Sequence, residues 1–322
     1  MKIMDALYDK VLDISHNHYK YLLSLENVNG IGLGFKQVNG INTKEPCIHV
    51  LLENKVDSNL LLKNNIIPKS YMGIKTDVIK AKMPKIRNGP QDDFIKDKLR
   101  PLESGCGITS NKPMNGFYGD GTLGCILTKY IAGERQFFLL SNAHVLSDSN
   151  DTPIGTEIIQ PPYVHSGRAP KDTIAHLTTY VPIEFETVDS RPINYIDAGI
   201  AKLTKNSLAT NRIYDLGEIK GVDKPSLGIG IQKVGFVTGL SFGEIKTVGV
   251  STPVEWPDTS RAFFKDLILS DNLENDDGDS RSVVLNDDNK VVGLFMAGVD
   301  SYAYFCDIKR VLDAFNAEVY LG

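Results

Sequence analysis

The sequence predicts a mainly β fold: an all-β region from residue 116 to 322, a barrel or sandwich, preceded by a small α+β unit over residues 1–83. Three observations carry this. Apolar residues between positions 4 and 25 recur at steps of three and four, the spacing of one helix face. From Gly116 onward short apolar runs alternate with turn residues, and no long helical pattern intervenes. Between the two regions, residues 84–115 carry Pro84, Pro90, Pro101 and Pro113 among mixed charges, the composition of a linker or of an ordered wrap along the next domain.

The N-terminal helix is expected to set Leu7, Val11, Ile14, His18, Leu22 and Leu25 on one face and to end at Asn29-Gly30. Strands follow at Ile31 to Val38 and Cys47 to Leu52, parted by a turn at Asn39-Gly40. A short helix over Ser58 to Asn64 and an extended piece over Thr76 to Ile79 complete the unit. Gly30, Gly32 and Gly34 do not have dinucleotide-loop spacing, and they lead from a helix into a strand. They point to a bulge or close backbone packing. In the β region, strands are expected within Leu123–Leu127, Phe137–Leu140, Thr156–Ile159, Ile174–Leu177, Ala198–Leu203, Ile231–Val237, Gly243–Val250, Ser282–Leu285 and Val291–Ala297. A last helix buries Ile308, Val311, Leu312 and Phe315.

Composition narrows the function classes. Hydrophobic residues are 42% of the chain, enough for a sizeable core, and the net charge of −5 comes without a basic face, so no nucleic-acid partner is expected. No apolar run approaches the roughly 20 residues that cross a bilayer, so no membrane partner is expected either. The first residues lack the apolar block of a secretory signal, and Cys47, Cys106, Cys125 and Cys306 lack C-x-x-C spacing. Reduced thiols and a cytoplasmic location follow as expectations.

Three contexts in the β region fit one mechanism. His144 follows the apolar run Phe137 to Leu140, so a fixed backbone presents it. Asp197 is a lone acid in the apolar stretch Tyr195 to Ala201, and a buried carboxylate requires a partner. Ser280 follows Gly278-Asp279 in a loop before the run Val283 to Leu285. A serine hydroxyl is a poor nucleophile until an imidazole takes its proton. A carboxylate on the far ring nitrogen fixes the tautomer, and Gly278 lets its own N–H and that of Ser280 converge as an oxyanion hole.

The order His, Asp, Ser resembles that of the chymotrypsin/trypsin-like serine peptidases. Ser141-Asn142-Ala143-His144-Val145 is similar to that family's Ala-His motif. Asp197-Ala198-Gly199-Ile200-Ala201 is similar to its Asp motif, and Gly278-Asp279-Ser280 to the start of its Gly-Asp-Ser-Gly motif. Gly121 to Cys125, Lys233 to Gly239 and Gly293 to Gly298 look like segments of a bacterial and plant trypsin-like group with an N-terminal extension. The resemblance implies a chymotrypsin-like double antiparallel β-barrel, six strands each, with the triad in the cleft between the barrels. It implies an endopeptidase acting on protein or peptide substrates without a cofactor. The strand around Ala297, Gly298 and Val299 would then pair with the substrate backbone. Glu274, six residues before Ser280, suggests a preference for Lys or Arg, which exposes Lys85, Arg87, Lys98 and Arg100 of the 84–115 stretch to self-cleavage. One position departs from the family: Arg281 stands where it has Gly. That side chain is expected to bind substrate, crowd the leaving group or distort the oxyanion hole, and it keeps open a catalytically silent, peptide-binding alternative.

Each residue also has a plainer reading: a core histidine for His144, a strand-end cap for Asp197, a turn serine for Ser280. Three in order outweigh them. His16 and His18 do not share a helix face, and no metal site is expected at these, at His165 or at His176. The acids Asp276, Asp277 and Asp279 with Asn286 to Asp288 raise calcium, but Asn286 to Asn289 fits a hairpin turn better.

Overall fold

A computed structural model describes residues 2–56, 61–86, 95–112, 119–275 and 279–322. The chain is mainly β, as expected. The second barrel is a closed ring of six antiparallel strands. Gly230–Gly235 pairs with Gly239–Glu255, which pairs with Arg261–Asp271. Tyr302–Asp307, Lys290–Val299 and Val283–Asn286 follow in turn, and the last returns to Gly230–Gly235. Closure pairs every strand of the ring on both sides, although Val283–Asn286 reaches only to Leu294 of its longer neighbour.

The first barrel is an antiparallel run of six strands: Ile126–Ile131, Glu134–Ser141, Gly199–Leu203, Thr173–Tyr180, Glu157–Ile159 and Gly107–Ser110. Asp120–Thr122 and the C-terminal Glu318–Val319 extend it at its two ends, giving an eight-stranded sheet. The segment Leu123–Cys125 draws those ends together. Leu123 exchanges backbone hydrogen bonds with Gly105 and Cys106 (2.9 and 2.8 Å), and Gly124 and Cys125 bond Leu140 (2.9 Å each).

The N-terminal unit departs from expectation in its helix, which does not run to Asn29-Gly30; those two residues lie inside the strand Val28–Val38. The helix stops at Asn17 and a short turn of helix resumes at Lys20–Leu23. The break rotates the buried face, so Tyr19 and not His18 turns inward, stacking on Phe263 at 5.1 Å. Asn39 and Gly40 both take positive φ (51° and 78°), which is how Asn-Gly closes a two-residue hairpin between Val28–Val38 and Ile41–Leu52. Of the expected helix at 58–64, residues 58–60 lie outside the described residues, and Lys63–Asn65 is a 3-10 turn.

The unit is not a separate body. Val28–Val38 pairs antiparallel with Gly239–Glu255, so its sheet runs on into the second barrel as a twelve-stranded sheet. His49 seals the junction: Nδ1 lies 2.8 Å from Thr247 Oγ1 and Nε2 lies 3.1 Å from the Phe35 carbonyl. A Cβ at Gly34 would fall inside the His49 ring, so that glycine serves close packing.

The stretch 84–115 differs from a linker. It supplies the strand Gly107–Ser110, and Ile86, Ile95, Leu102, Cys106 and Ile108 are all buried in the main core. All four cysteines are free and buried. Asn286 to Asn289 forms the expected turn between Val283–Asn286 and Lys290–Val299. The last helix, Ile308–Phe315, is capped by the Asp307 carboxylate accepting from Lys309 N, and it buries Ile308, Val311 and Phe315.

Burial holds the His49 imidazole below its ordinary value. The unfolded chain therefore takes up that proton first, so stability present above about pH 6.5 is lost as the pH falls below it. His49→Gln keeps an acceptor and a donor without the titration. Between pH 7.5 and 5.5 its melting temperature should fall less than that of the wild type; equal falls would remove His49 as a cause.

Candidate active site

His144 sits on a single helical turn, Ala143–Leu146, directly after the strand Glu134–Ser141. Side chains on both sides pin that turn. The Ser141 hydroxyl donates to the Thr122 carbonyl (3.1 Å), and the Ser147 hydroxyl donates to the Ala143 carbonyl (2.6 Å). Asn142 Nδ2 donates to the Asp197 carbonyl (2.5 Å), so the histidine turn is tied to the aspartate backbone before any ring contact.

Asp197 is fully buried, and His144 is 4% exposed. Both carboxylate oxygens are used by one residue. Oδ1 accepts from the His144 backbone N–H at 3.1 Å, and Oδ2 is hydrogen-bonded to the His144 ring at Nδ1. With the proton of the neutral ring held at Nδ1, Nε2 is the basic atom. The partner that a buried acid requires is therefore the histidine the sequence singled out.

Ser280 is half-buried in the turn that leads into Val283–Asn286. Its carbonyl accepts from Thr122 N (3.4 Å), Arg281 N donates to Phe295 O (2.9 Å), and the Ser282 hydroxyl donates to Asp279 O (2.7 Å). Thr122 thus joins both halves of the site: its carbonyl holds Ser141, three residues before His144, and its N–H holds Ser280. Its hydroxyl also accepts from Phe236 N (3.0 Å). Among the described residues no hydrogen bond joins the Ser280 hydroxyl to the His144 ring. Catalytic hydrogen bonds are often long before substrate arrives. Gly278, Asp276 and Asp277 lie outside the described residues.

The sequence left the partner of Asp279 unnamed, and the structure supplies it. Lys233 Nζ lies 2.9 Å from Asp279 Oδ2, both side chains being fully buried. Val237 N and Thr238 N donate to Oδ1 (3.0 Å each), and the Thr238 hydroxyl donates to Oδ2 (2.5 Å). A carboxylate saturated in this way fixes the residue preceding Ser280. The signal was a lysine inside the apolar run Ile231 to Val237, where a charge has no reason to be unless paired.

Arg281 adopts φ 93°, in the region that favours glycine. Its side chain is buried, and Nη1 donates to the Asp120 carbonyl. The guanidinium fills the space where a Cβ on Gly121 would sit, and a Cβ on Gly124 would press on the Arg281 carbonyl. Burial pushes its pKa down to about 9, with the charges of Asp120 and Asp197 pulling it up, so it stays charged at neutral pH. The side chain runs into the first barrel.

Glu274 is exposed, and its carbonyl accepts from the Ser241 hydroxyl (3.2 Å). Ala297, Gly298 and Val299 lie on Lys290–Val299, flanked on one side by Tyr304, Ala303 and Tyr302. Asn275 occupies the space a Cβ on Gly298 would need. In the N-terminal unit the ligand atoms of Cys47, His49 and Asp77 lie within 4.8 Å of one another. Both His49 nitrogens are already engaged, Asp77 holds Lys36 at 2.9 Å, and burial pushes the Cys47 thiol up to about 12. The cluster is accounted for by these bonds.

Residues 5–80 match the family model described as the NARROW LEAF 1 N-terminal domain. No curated protein matches the chain. Similar solved structures include Thermobifida fusca protease A (16% identity, TM-score 0.48) and a Cellulomonas bogoriensis chymotrypsin (14%, 0.46); each covers 69% of this chain and 99% of the other. Nocardiopsis protease is 16% identical, with 68% of this chain and 98% of the other covered and a TM-score of 0.46.

Removing one partner of a buried ion pair strands the other, at about 3–5 kcal/mol. Lys233→Met should lose stability of that order in urea unfolding, and adding Asp279→Asn should recover part of it. Additive losses would show that the pair does not act as one.

Proposed function

We propose that the chain is a serine-type endopeptidase, with Ser280 as nucleophile, His144 as general base and Asp197 as the group that orients it. The observation that carries this is the double grip of Asp197 on His144, through the backbone N–H and Nδ1. A merely structural histidine needs neither a sealed carboxylate nor a free Nε2.

In this reading Nε2 takes the Ser280 proton as Oγ attacks the peptide carbonyl carbon. Asp197 stabilises the imidazolium that forms. The carbonyl oxygen becomes an oxyanion and needs the Gly278 and Ser280 N–H groups; one such donor is worth about 3–4 kcal/mol. On collapse the amine leaves with the Nε2 proton, and an ester remains on Ser280. Water, losing its proton to Nε2, then hydrolyses that ester and restores the hydroxyl. The Asp279–Lys233 pair keeps the turn in place throughout. Substrates are proteins or peptides, and every proton has a residue to carry it without a cofactor.

A second reading, a silent peptide-binding module, is favoured by Arg281. A non-glycine residue at φ 93° stores on the order of 1–3 kcal/mol of strain. That strain sits on the N–H next to the nucleophile.

A fluorophosphonate probe separates the two. The proposal expects labelling that disappears in Ser280→Ala and slows on the order of 10⁴-fold in Asp197→Asn. An unlabelled wild type would favour the silent module. Arg281→Gly should label several-fold faster than the wild type, and an unchanged rate would clear Arg281 of restraining the site.

A further inference from the structure

The edge of Lys290–Val299 at Gly298, opposite the Tyr302–Asp307 strand, is occupied. Lys85 forms an antiparallel bridge with Gly298 and, on its other side, a parallel bridge with Glu255. Ile86 N donates to the Glu255 carbonyl (2.9 Å), and Glu255 N donates to the Pro84 carbonyl (3.1 Å). The segment lies as an extra strand between two strands of the second barrel. Its side chains are held too. Lys85 Nζ lies 2.6 Å from Glu255 Oε1, and Lys82 Nζ lies 3.2 Å from Asp300 Oδ2. Ile86 is 4% exposed and shares its cluster with Trp256, Ala297 and Val299. The described chain resumes at Ile95, whose N–H donates to the Phe236 carbonyl (3.2 Å), next to the Val237 and Thr238 amides that hold Asp279. The described attachments are thus at Gly298 and Glu255 for Lys85 and Ile86, and at Phe236 for Ile95.

An extended peptide adding to a sheet edge is held by backbone pairing, with alternate side chains read by pockets. Lys82 to Ile86 meets that description from within the same chain. We propose that this segment is an internal ligand of the peptide-binding edge, and that the peptides able to replace it share its chemistry: an extended backbone, a basic residue opposite Gly298 facing Glu255, and an aliphatic residue next toward the nucleophile. Tethering gives the segment an effective concentration in the millimolar range for a short linker, so a free peptide of equal affinity competes poorly until the segment is displaced or cut. This rests on the reading of Ala297–Val299 as the strand that pairs with substrate.

The test uses a fluorescein-labelled synthetic copy of residues 81–90, with binding read by anisotropy in a Ser280→Ala background so that no turnover intervenes. Ile86→Asp expels the buried side chain and should bind the probe at least about tenfold tighter than the parent. Because that variant is able to fail in folding, a second pair decides independently. Lys85→Cys with Glu255→Cys places two thiols across the parallel bridge, while the four native cysteines are buried. Oxidised to a disulfide, this variant should bind the probe at least about tenfold more weakly than when reduced. Equal affinity in the oxidised and reduced forms, or no binding even when the segment is freed, would overturn the internal ligand. Fluorophosphonate labelling of the same variants with Ser280 intact reads the peptidase separately. Its absence sinks that reading and leaves the binding result standing.

Discussion

The site depends on one buried carboxylate. Asp197 has no access to water, so its charge must be matched by groups the fold delivers. The fold delivers a backbone N–H and a ring nitrogen from the same residue, and it fixes that residue through Asn142 and Ser147. Moving His144 would leave a charge stranded in the core of the first barrel. The histidine is thus positioned by the cost of the alternative.

The same logic operates on the other side. Asp279 is as buried as Asp197, and it is matched by Lys233, Thr238 and two backbone amides from the loop after Gly230–Gly235. Thr122 sits between these two electrostatic anchors. It bonds Ser141 through its carbonyl, Ser280 through its N–H and Phe236 through its hydroxyl. Thr122 therefore ties the strand that leads to His144, the Ser280 turn and the loop that holds Asp279 to one another. Ion pairs of this kind are weak evidence for stability, since hydrophobic replacements are often as stable. Their presence here makes better sense as a means of fixing geometry.

Much of this was legible in sequence because burial punishes polar residues without partners. His144 after an apolar run, and Asp197 inside one, are visible for that reason. Strands marked by short apolar runs between turn residues were visible as well. Arg261–Asp271 was not: Asp266 at φ 63° resets its alternation, so Phe263, Phe264, Leu267 and Ile268 mimic a helical spacing. Residues 84–115 were misleading for a different reason. Prolines and charges lower local propensity, yet Ile86, Ile95, Leu102 and Ile108 are buried by partners far along the chain, and no local pattern reports that. The role of Lys233 is not legible locally, because its partner lies 46 positions away.

Arg281 shows how a long side chain at a backbone position that favours glycine is absorbed. A side chain at φ 93° beside Ser280 must go somewhere. The chain sends it into the first barrel, where Gly121 lacks the Cβ that would block it and the Asp120 carbonyl accepts its Nη1, while the absence of a Cβ on Gly124 leaves room for the Arg281 carbonyl. The glycines of the 121–125 segment and the arginine at 281 are therefore one feature split across the sequence. Since Asp120–Thr122 also carries the residue whose N–H holds the Ser280 carbonyl, the guanidinium bears directly on the element that positions that turn. Its charge is felt at Asp197 as well, so Arg281 is tied to both sides of the candidate site.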